Sequence, residues 1–525
     1  MAIALTIRNL TPVLFTIKGL ETFEDPNAVK YNSASFIFKT KTTAISAPTA
    51  PELGDHAESF NHESLNVELK PFESFTLRAK NATASEKKRF FRNMVMRITI
   101  ECAFGQRHRI DFNPSYTHKA SKRFTNLTSD PSQSYTGLYH PTKPVPHLVV
   151  HTNHLQNYAR WMKALPSNLP LSAISLPGTH NSHTHYRALP SVRCQISSVE
   201  VQLEHGIRFL DIRVQPSHAS DSRKKDLFLV HGAFPISLTG VKYFEPVLET
   251  CYSFLTENPS ETILISLKRE GVGSATDQHL AEILDQHYIR PNPSRWYTGT
   301  RIPYLGDVRG KLVLIRRYDI QKPTTPVSIS SATSLSSLPA CGLDATAWPH
   351  NSTHALHGPF CVQDFCEVQH PSSIPLKLQF ANEHLVRSSQ TTAFIPGVNT
   401  DSKNPVPPGP LYLNFLSGSN FWNKGTWPEK IAKVVNRGFE EWICTGHALD
   451  NSDVTMGKLD MSNAIDLEDV DGIAGVRGKA KCGDGGTGIV IMDNVGEGED
   501  WDLIALIIGL NMGVLMVMQE VGKSV

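Results

Sequence analysis

The chain has 525 residues, and its 51 Lys and Arg residues balance its 50 Asp and Glu residues to a formal charge of +1. A charge this close to zero gives no support to binding of nucleic acid or of an anionic membrane through bulk electrostatics. The length exceeds one ordinary hydrophobic core and predicts more than one domain.

The eight cysteines are dispersed and no pair has CxxC spacing, so no zinc motif is predicted. The first residues, MAIALTIRNL, lack the apolar core and cleavage site of a signal peptide, and a cytoplasmic protein with reduced thiols is expected. The apolar segment LIALIIGLNMGVLMVM (503–518) is short for a membrane span and contains two glycines. We therefore predict that it forms a buried final helix.

Residues 1–145 contain short segments with β-branched alternation, separated by turn-forming residues: LTIRNL, VLFTIKGL, SASFIFKT, LNVELK, SFTLRAK, VMRITIECAF and HRIDFNP. This pattern predicts an all-β, sandwich-like domain. It contains no catalytic constellation and is interpreted as a β-rich accessory domain of unknown role. The Pro-rich segment SYTGLYHPTKPVPHL (134–148) is predicted to be the linker to the next domain.

From residue 146 to residue 525 short apolar runs alternate with helix-like pieces such as FEPVLETCYSFLTENP. The eight runs are SAISLPGTH, RFLDIRV, LFLVHG, TILISLKRE, KLVLIRR, FCVQDF, LYLNFLSG and GIVIMDN. This order predicts an α/β fold, an irregular (β/α)8 TIM-type barrel. Insertions are expected near 320–345, which is Ser-rich and reads as a mobile loop, and near 435–485, which has no assignment.

Polar side chains end most of these runs. Because the C-terminal ends of barrel strands converge on one mouth, we expect these side chains to meet there. They are His180, Asp211, Arg213, His231, Lys268, Glu270, Arg316, Asp364 and Asp493.

His180 and His231 end separate strands, where one can remove a proton while the other donates one. Such a pair suits phosphoryl transfer to an internal hydroxyl group. Asp211 and Arg213 are two residues apart on one strand and share a face, where the guanidinium can bind a phosphate. The alternatives are that His180 and His231 have only a structural role, and that Asp211 and Arg213 form an ordinary salt bridge.

A metal site is a further alternative for the histidines of SLPGTHNSHTHYR (175–187). The spacing of His180, His183 and His185 is not a zinc pattern, and the two later histidines are interpreted as loop residues. Calcium requires several carboxylates, whereas Arg213 would repel the ion. No metal and no cofactor are therefore predicted.

The motifs LPGTHNS, GIRFLDIRV, FLVHG, NPSETILISLKRE and RGKLVLIRR together resemble the X domain of phosphatidylinositol-specific phospholipases C. The resemblance is to the bacterial-type, metal-independent branch, and it covers residues 150–320 best. It implies cleavage of phosphatidylinositol, in membranes or micelles, to diacylglycerol and a cyclic inositol phosphate, with transient peripheral contact with the membrane and no nucleic-acid partner.

The resemblance also implies roles for individual residues. His180 would be the general base, His231 the general acid, and Arg213 would stabilise the phosphate in place of calcium. Asp493 would orient the base. Asp211, which shares a strand face with Arg213, is also predicted to be a catalytic residue. Lys268, Arg316 and Asp364 match positions that hold the inositol ring. Asn181 and Glu270, at the same strand ends, are predicted to bind the substrate with them.

Two residues depart from the family pattern. Asn181 stands where the bacterial branch has Asp, and Asn is what calcium-dependent relatives use there as a ligand. Cys366 stands where the family often has a Tyr that packs on inositol. These departures leave three alternatives open: a catalytically impaired phosphoinositide-binding barrel, a site in which Asn181 helps to bind calcium, and a phosphodiesterase that acts on another phospholipid.

Overall fold

The structure is a computed structural model that describes residues 4–24, 61–78, 94–113, 116–128, 133–152, 157–320, 341–449, 468–470, 473–478 and 483–522. It divides into two compact units. One unit is Met1–His154 together with Cys444–Lys481, and the other is Leu155–Ile443 together with Cys482–Val525. The predicted boundary lies between residues 145 and 146, whereas the observed one lies between residues 154 and 155. Residues 444–481 also return to the first unit, which was not predicted.

The strands of the described residues are short and follow one another along the whole chain. The first ten are β1 (Ala4–Leu10), β2 (Phe15–Glu24), β3 (Asn61–Leu69), β4 (Ser74–Arg78), β5 (Met94–Glu101), β6 (Arg107–Phe112), β7 (Ala120–Arg123), β8 (Thr125–Asn126), β9 (Tyr135–His140) and β10 (His147–Thr152). The next seven are β11 (Leu176–Thr179), β12 (Phe209–Pro216), β13 (Leu227–His231), β14 (Phe234–Pro235), β15 (Ile263–Arg269), β16 (Trp296–Tyr297) and β17 (Leu312–Arg317). The remainder are β18 (Leu343–Asp344), β19 (Ala355–His357), β20 (Phe360–Gln363), β21 (Leu411–Phe415), β22 (Glu468–Val470), β23 (Ile473–Gly478) and β24 (Ile489–Met492).

The α-helices of the described residues lie in the later part of the chain. They are α1 (Val199–Glu204), α2 (Phe244–Glu257), α3 (Asp277–Ile283), α4 (Leu305–Val308), α5 (Ile374–Ser389), α6 (Pro428–Thr445), α7 (Asp502–Gly509) and α8 (Met512–Gly522).

The first unit consists of two sheets, with strand orders β22-β23-β4-β1-β10-β9-β7 and β3-β2-β5-β6-β8. Strand β3 shows how the sequence places one face inward: Leu65, Val67 and Leu69 are buried, whereas Asn66 and Glu68 between them are exposed. Side chains of both sheets contribute to one hydrophobic cluster. The predicted segment SASFIFKT lies outside the described residues.

The predicted linker at 134–148 is wrong, because this segment forms β9 and β10. These strands pair antiparallel, with His147 opposite His140, and both belong to the seven-stranded sheet. The prolines that suggested a linker lie between the two strands, where a missing N–H group costs no ladder hydrogen bond.

The second predicted insertion, 435–485, also contributes to the first unit. Strand β23 pairs antiparallel with β4, with Val476 opposite Thr76. A segment more than 300 residues later in the sequence thus extends the sheet of the first unit, which no local pattern could predict. The Ser-rich segment of the first insertion, at 321–340, lies outside the described residues.

The second unit is mixed α/β, and its main sheet has the order β16-β17-β15-β12-β11-β24-β21-β20-β19. Seven of the eight predicted runs become strands of its parallel ladder. The exception is LFLVHG, because β13 pairs antiparallel with β12, Val214 lying opposite Leu229. The short connection after β12 explains the difference, since a parallel crossover needs a dozen or more residues.

The apolar segment near the C-terminus forms α7 and α8. The stretch Asp502–Gln519 is long and apolar enough to cross a membrane by length and composition, yet 56% of it is buried inside the protein. Between the helices, Asn511 donates to the Ser175 carbonyl and accepts from the Ser175 N–H, both at 2.9 Å. This contact ties the segment to the chain just before β11.

Candidate active site

His180 directly follows β11, which fits closely against its neighbours. A side chain at Gly178 would come within 2.8 Å of Phe209 on β12, so the glycine permits this approach. The backbone N–H of His180 donates to the Met492 carbonyl at 2.9 Å, at the end of β24. Asn181 then turns the chain with a φ of 44°, a conformation that Asn tolerates better than most residues.

Both ring nitrogens of His180 have partners. Nδ1 lies 2.8 Å from the Asp493 carboxylate, which is only 1% exposed. Nε2 lies 3.0 Å from Nη2 of Arg213. Because a guanidinium only donates, Nε2 must accept, and Nδ1–H then donates to Asp493. This tautomer presents a basic Nε2 beside Arg213.

The charges around His180 act on its pKa in both directions. Burial lowers it, but Asp493 and the Cys194 sulfur outweigh burial and raise the pKa to about 10. The Arg213 guanidinium opposes a second proton on the ring, because an imidazolium would point an N–H at a cation. We expect an anion bound to Arg213 to relieve this opposition.

Arg213 lies at the centre of a network of fixed charges. It donates to Glu270 at 2.7 Å and to Asp211 at 3.2 Å. Lys268 donates to the same Glu270 at 2.8 Å. Burial disfavours the charge on Glu270, but Arg213 and Lys268 dominate and hold its pKa at about 2. Both carboxylates are therefore ionised and already paired with cations.

His231 approaches His180 at the end of β13. The two rings are perpendicular, with centroids 6.2 Å apart. Nδ1 of His231 lies 2.8 Å from the Val192 carbonyl, so it carries the proton and leaves Nε2 for exchange. Burial lowers the pKa of His231, but the Cys194 sulfur has the larger opposing effect, and the pKa is raised.

Cys194 was not predicted to be part of this site. Its buried sulfur lies 3.9 Å from Nδ1 of His231 and 3.6 Å from the side-chain nitrogen of Asn181. Burial and Asp493 raise the pKa of this thiol, whereas His231 and His180 lower it more, to about 7. Cys194 lies in a loop with no motif, so the sequence carries no signal for it.

The prediction for Arg316 is corrected by the strand alternation of β17. Arg316 donates to the carbonyls of Cys341 and Tyr318 and pairs with Asp344. Its neighbour Arg317 instead reaches Asp211, at 3.4 Å. Successive side chains of a strand point to opposite faces, so only one of the two arginines can face Asp211.

Asp364 follows β20 and is half-buried. Its negative charge acts to raise the pKa of Arg213, of Arg317 and of the buried Lys377, which places it close to the charge network. Lys377 on α5 was missed by the sequence analysis. It donates to Gln363 at 3.1 Å, and burial lowers its pKa to about 8. Cys366 is half-buried beside Asp364.

His183 and His185 behave differently from each other. His183 is fully buried, its Nε2 lies 3.0 Å from the Val230 carbonyl, and burial lowers its pKa to about 4. It lies in the turn after β11, as the prediction of a loop residue requires, and it is fully buried there. His185 is half-buried and lies against Tyr186.

The fit of the site to calcium depends on Asn181, Asp211 and Glu270. The side-chain oxygen of Asn181 is buried and has no hydrogen-bond partner among the described residues. However, Arg213 already neutralises both carboxylates, and Arg317 adds a second cation near Asp211. Such a group of cations suits an anionic phosphate better than a divalent ion.

Comparisons with known proteins agree with this region. Residues 167–318 match the family model "Phosphatidylinositol-specific phospholipase C, X domain". The chain is 35% identical over 173 residues to the 1-phosphatidylinositol phosphodiesterase of Listeria monocytogenes, which covers 31% of this chain and 50% of that protein. It is 27% identical over 166 residues to the protein of the same name from Staphylococcus aureus, which covers 30% and 50%. The predicted resemblance is thus confirmed.

Two solved structures also match this chain. A phosphatidylinositol-specific phospholipase C of Staphylococcus aureus matches with a TM-score of 0.46 and 20% identity, covering 68% of this chain and 98% of that one. The enzyme of Listeria monocytogenes matches with a TM-score of 0.43 and 22% identity, covering 67% and 98%. The chain spans about half the length of the curated relatives it matches.

Proposed function

We propose that the second unit is an irregular (β/α)8 TIM-type barrel that cleaves phosphatidylinositol to diacylglycerol and inositol 1,2-cyclic phosphate. The observation that carries this proposal is the arrangement of His180, with Asp493 on one ring nitrogen, Arg213 on the other and His231 opposite. The names of the curated relatives support the substrate, since they are phosphatidylinositol phosphodiesterases.

In the first step His180 acts as the base. Its Nε2 takes the proton of the inositol 2-hydroxyl, whose oxygen attacks phosphorus. Asp493 holds Nδ1–H and stabilises the imidazolium that forms, without itself taking the proton. The binding of an anionic phosphate to Arg213 would replace the contact between Arg213 and Nε2 and free the lone pair.

Arg213 stabilises the charge that develops on the phosphate oxygens. Its guanidinium is held between Asp211 and Glu270, so its position is fixed before substrate binds. Preorganised donors of this kind are worth roughly 3–4 kcal/mol in the transition state. Asp211 is thus a positioning residue, because it acts through Arg213 and Arg317.

His231 acts as the acid. Its raised pKa favours the protonated ring, and Nε2–H can donate to the diacylglycerol oxygen as the phosphorus–oxygen bond breaks. The fixed contact of Nδ1 with the Val192 carbonyl orients the ring for this transfer. The candidates for binding the substrate headgroup are Asn181, Lys268, Glu270, Asp364 and, in place of Arg316, Arg317.

Transient membrane contact fits the exposed aromatic residues that follow two strand ends of the same unit. Phe234 begins the short strand β14, just after β13, and stacks on Phe421, which follows β21, with ring centroids 4.8 Å apart. The adjacent Trp422 is 89% exposed. Aromatic side chains that remain exposed suit the interface of a bilayer. We expect W422A to weaken sedimentation with phosphatidylinositol vesicles and to leave cleavage of a soluble inositol phosphodiester unchanged.

The proposal is tested by assaying H180A and H231A with phosphatidylinositol micelles. The control is H218A, because His218 is an exposed histidine of the same unit. Removal of a general acid or base is expected to lower turnover by about 10²- to 10⁴-fold, with the control unchanged. Equal turnover in H180A and H218A would refute the assignment of the base.

A lipid-binding barrel without turnover is the second candidate, and two observations favour it. Asn181 cannot supply the charge of the family's Asp, and its side-chain oxygen is unpartnered among the described residues. Cys366 cannot give the flat contact of a Tyr. Binding of phosphatidylinositol vesicles by folded protein, with no soluble phosphate ester released, would favour this candidate.

A further inference from the structure

A second group of metal-ligating side chains lies where α5 covers the β19–β20 hairpin. His354 precedes β19, Cys361 lies on β20 and His384 lies on α5. Their ligand atoms all lie within 4.8 Å of one another. The Sγ of Cys361 is 3.7 Å from Nδ1 of His354. None of the three has a role in the proposed cleavage of phosphatidylinositol.

His384 is poorly satisfied by the protein, because the backbone of Cys361 lies near its ring without forming a hydrogen bond of standard geometry. The ring is fully buried, and neither nitrogen meets hydrogen-bond geometry with any described residue. Leaving a buried polar group unpaired is destabilising. Lys377 lies two turns earlier on the same face of α5 and is also buried. Unlike His384, it has a partner, because it donates to the side-chain oxygen of Gln363. The contrast singles out His384 as a group in need of a ligand.

The spacing of the group suits a tetrahedral metal ion. With zinc–sulfur and zinc–nitrogen bonds of about 2.3 and 2.0–2.1 Å, tetrahedral geometry places sulfur and nitrogen about 3.6 Å apart. The observed 3.7 Å between Cys361 and His354 nearly equals this separation. The ligand atoms of the three residues already lie within 4.8 Å of one another, so His384 needs to move only a short distance to bind the ion. His354 is exposed, which gives an ion a path from solvent.

We propose that His354, Cys361 and His384 form a zinc site that fastens the β19–β20 hairpin to α5. One thiolate and two neutral imidazoles are a ligand set that zinc accepts, and water would complete the coordination. Binding breaks the S–H bond of Cys361 and releases that proton to solvent, while each histidine contributes a lone pair. No other covalent change is involved.

One nearby cation opposes this ion. Arg387 lies one turn beyond His384, and its positive charge is close enough to act on all three ligands. Its guanidinium is 3.6 Å from Glu383, which offsets part of its charge. The proposal therefore makes a specific prediction: R387Q should bind zinc more tightly than the wild-type protein, because the repulsion is removed.

The experiment is a titration of the metal-free full-length chain with Co²⁺, then with Zn²⁺ in competition. A thiolate-to-cobalt charge-transfer band with one equivalent of Co²⁺ is expected, and Zn²⁺ should remove it. His180, Cys194 and Asp493 form the other group of this kind among the described residues, so the variants must separate the two. C361S should lose the band, and C194S should keep it.

H354A provides a variant at an exposed position, where misfolding is not a concern. Loss of a direct ligand should weaken Zn²⁺ binding by more than the roughly 10- to 100-fold that outer-shell changes cost. The absence of the band in wild-type protein would overturn the proposal. So would a band that is lost in C194S and kept in C361S, because the ion would then lie beside His180. Equal affinity of H354A and wild type would also overturn it.

Discussion

Replacing Asp493 by Asn removes the negative charge beside His180 and preserves the size of the side chain. The hydrogen bond at 2.8 Å joins a carboxylate that is 1% exposed to a ring that is 15% exposed, so solvent cannot replace it. An amide oxygen can still accept from Nδ1–H, but it does not stabilise an imidazolium in the same way. D493N therefore tests charge at nearly constant geometry.

Two effects follow from this substitution. A hydrogen bond to a charged group contributes about 1.5–3 kcal/mol, which corresponds to roughly a 10- to 150-fold lower kcat at the optimum pH. The pKa of His180 also falls, because Asp493 is a main cause of its rise to about 10. The base requires the neutral ring, so the limb on which activity rises with pH must move to lower pH. An opposite charge at this distance typically shifts a pKa by about 1–3.

The assay is the pH dependence of kcat and kcat/KM for phosphatidylinositol cleavage by wild type and D493N. Circular dichroism and thermal melting of both proteins check that the fold is retained. A lower kcat together with a rising limb at lower pH would support the role of Asp493. An unchanged profile, or a limb that moves to higher pH, would refute the reasoning about the His180–Asp493 pair.

H231A should cleave phosphatidylinositol about 10²- to 10⁴-fold more slowly than wild type, because the alcohol that leaves needs a general acid. An inositol phosphodiester with an acidic phenol as leaving group does not need one, so H231A should cleave it almost normally. Equal losses on both substrates would contradict this role. R317Q should lower kcat/KM far more than R316Q, since only Arg317 reaches the charge network; steady-state kinetics of the two variants decide it. E261Q should lower the free energy of unfolding by about 3–5 kcal/mol, because it leaves the fully buried Arg208 without its counter-ion. Chemical denaturation measures this loss, and an unchanged denaturation midpoint would contradict the prediction.

The sequence predicted those site residues whose position depends on a strand end. His180, Arg213 and Asp493 each follow or lie near the end of an apolar run, and parallel pairing brings such ends together. The choice between Arg316 and Arg317 could not be made in this way. Both residues end the same strand, and only the register of the strand in the sheet decides which of them faces Asp211.

Other features depend on contacts between distant segments. Cys194 lies in a loop, and only the folded chain brings it to His231. Strand β13 has the composition of a buried parallel strand, but the short connection to β12 allows only a hairpin. Strand β23 joins a sheet built from the start of the chain. Periodicity contains no information about such partners.

We propose that His180 and His231 cleave phosphatidylinositol while Arg213 takes the place of a metal ion. Phosphorus NMR of the purified chain with phosphatidylinositol micelles, with and without excess EGTA, tests it most directly. We predict that inositol 1,2-cyclic phosphate forms at the same rate in both samples. Activity that is lost with EGTA and restored by calcium would contradict the claim and identify Asn181 as a ligand, and a folded protein that forms no product would contradict catalysis itself.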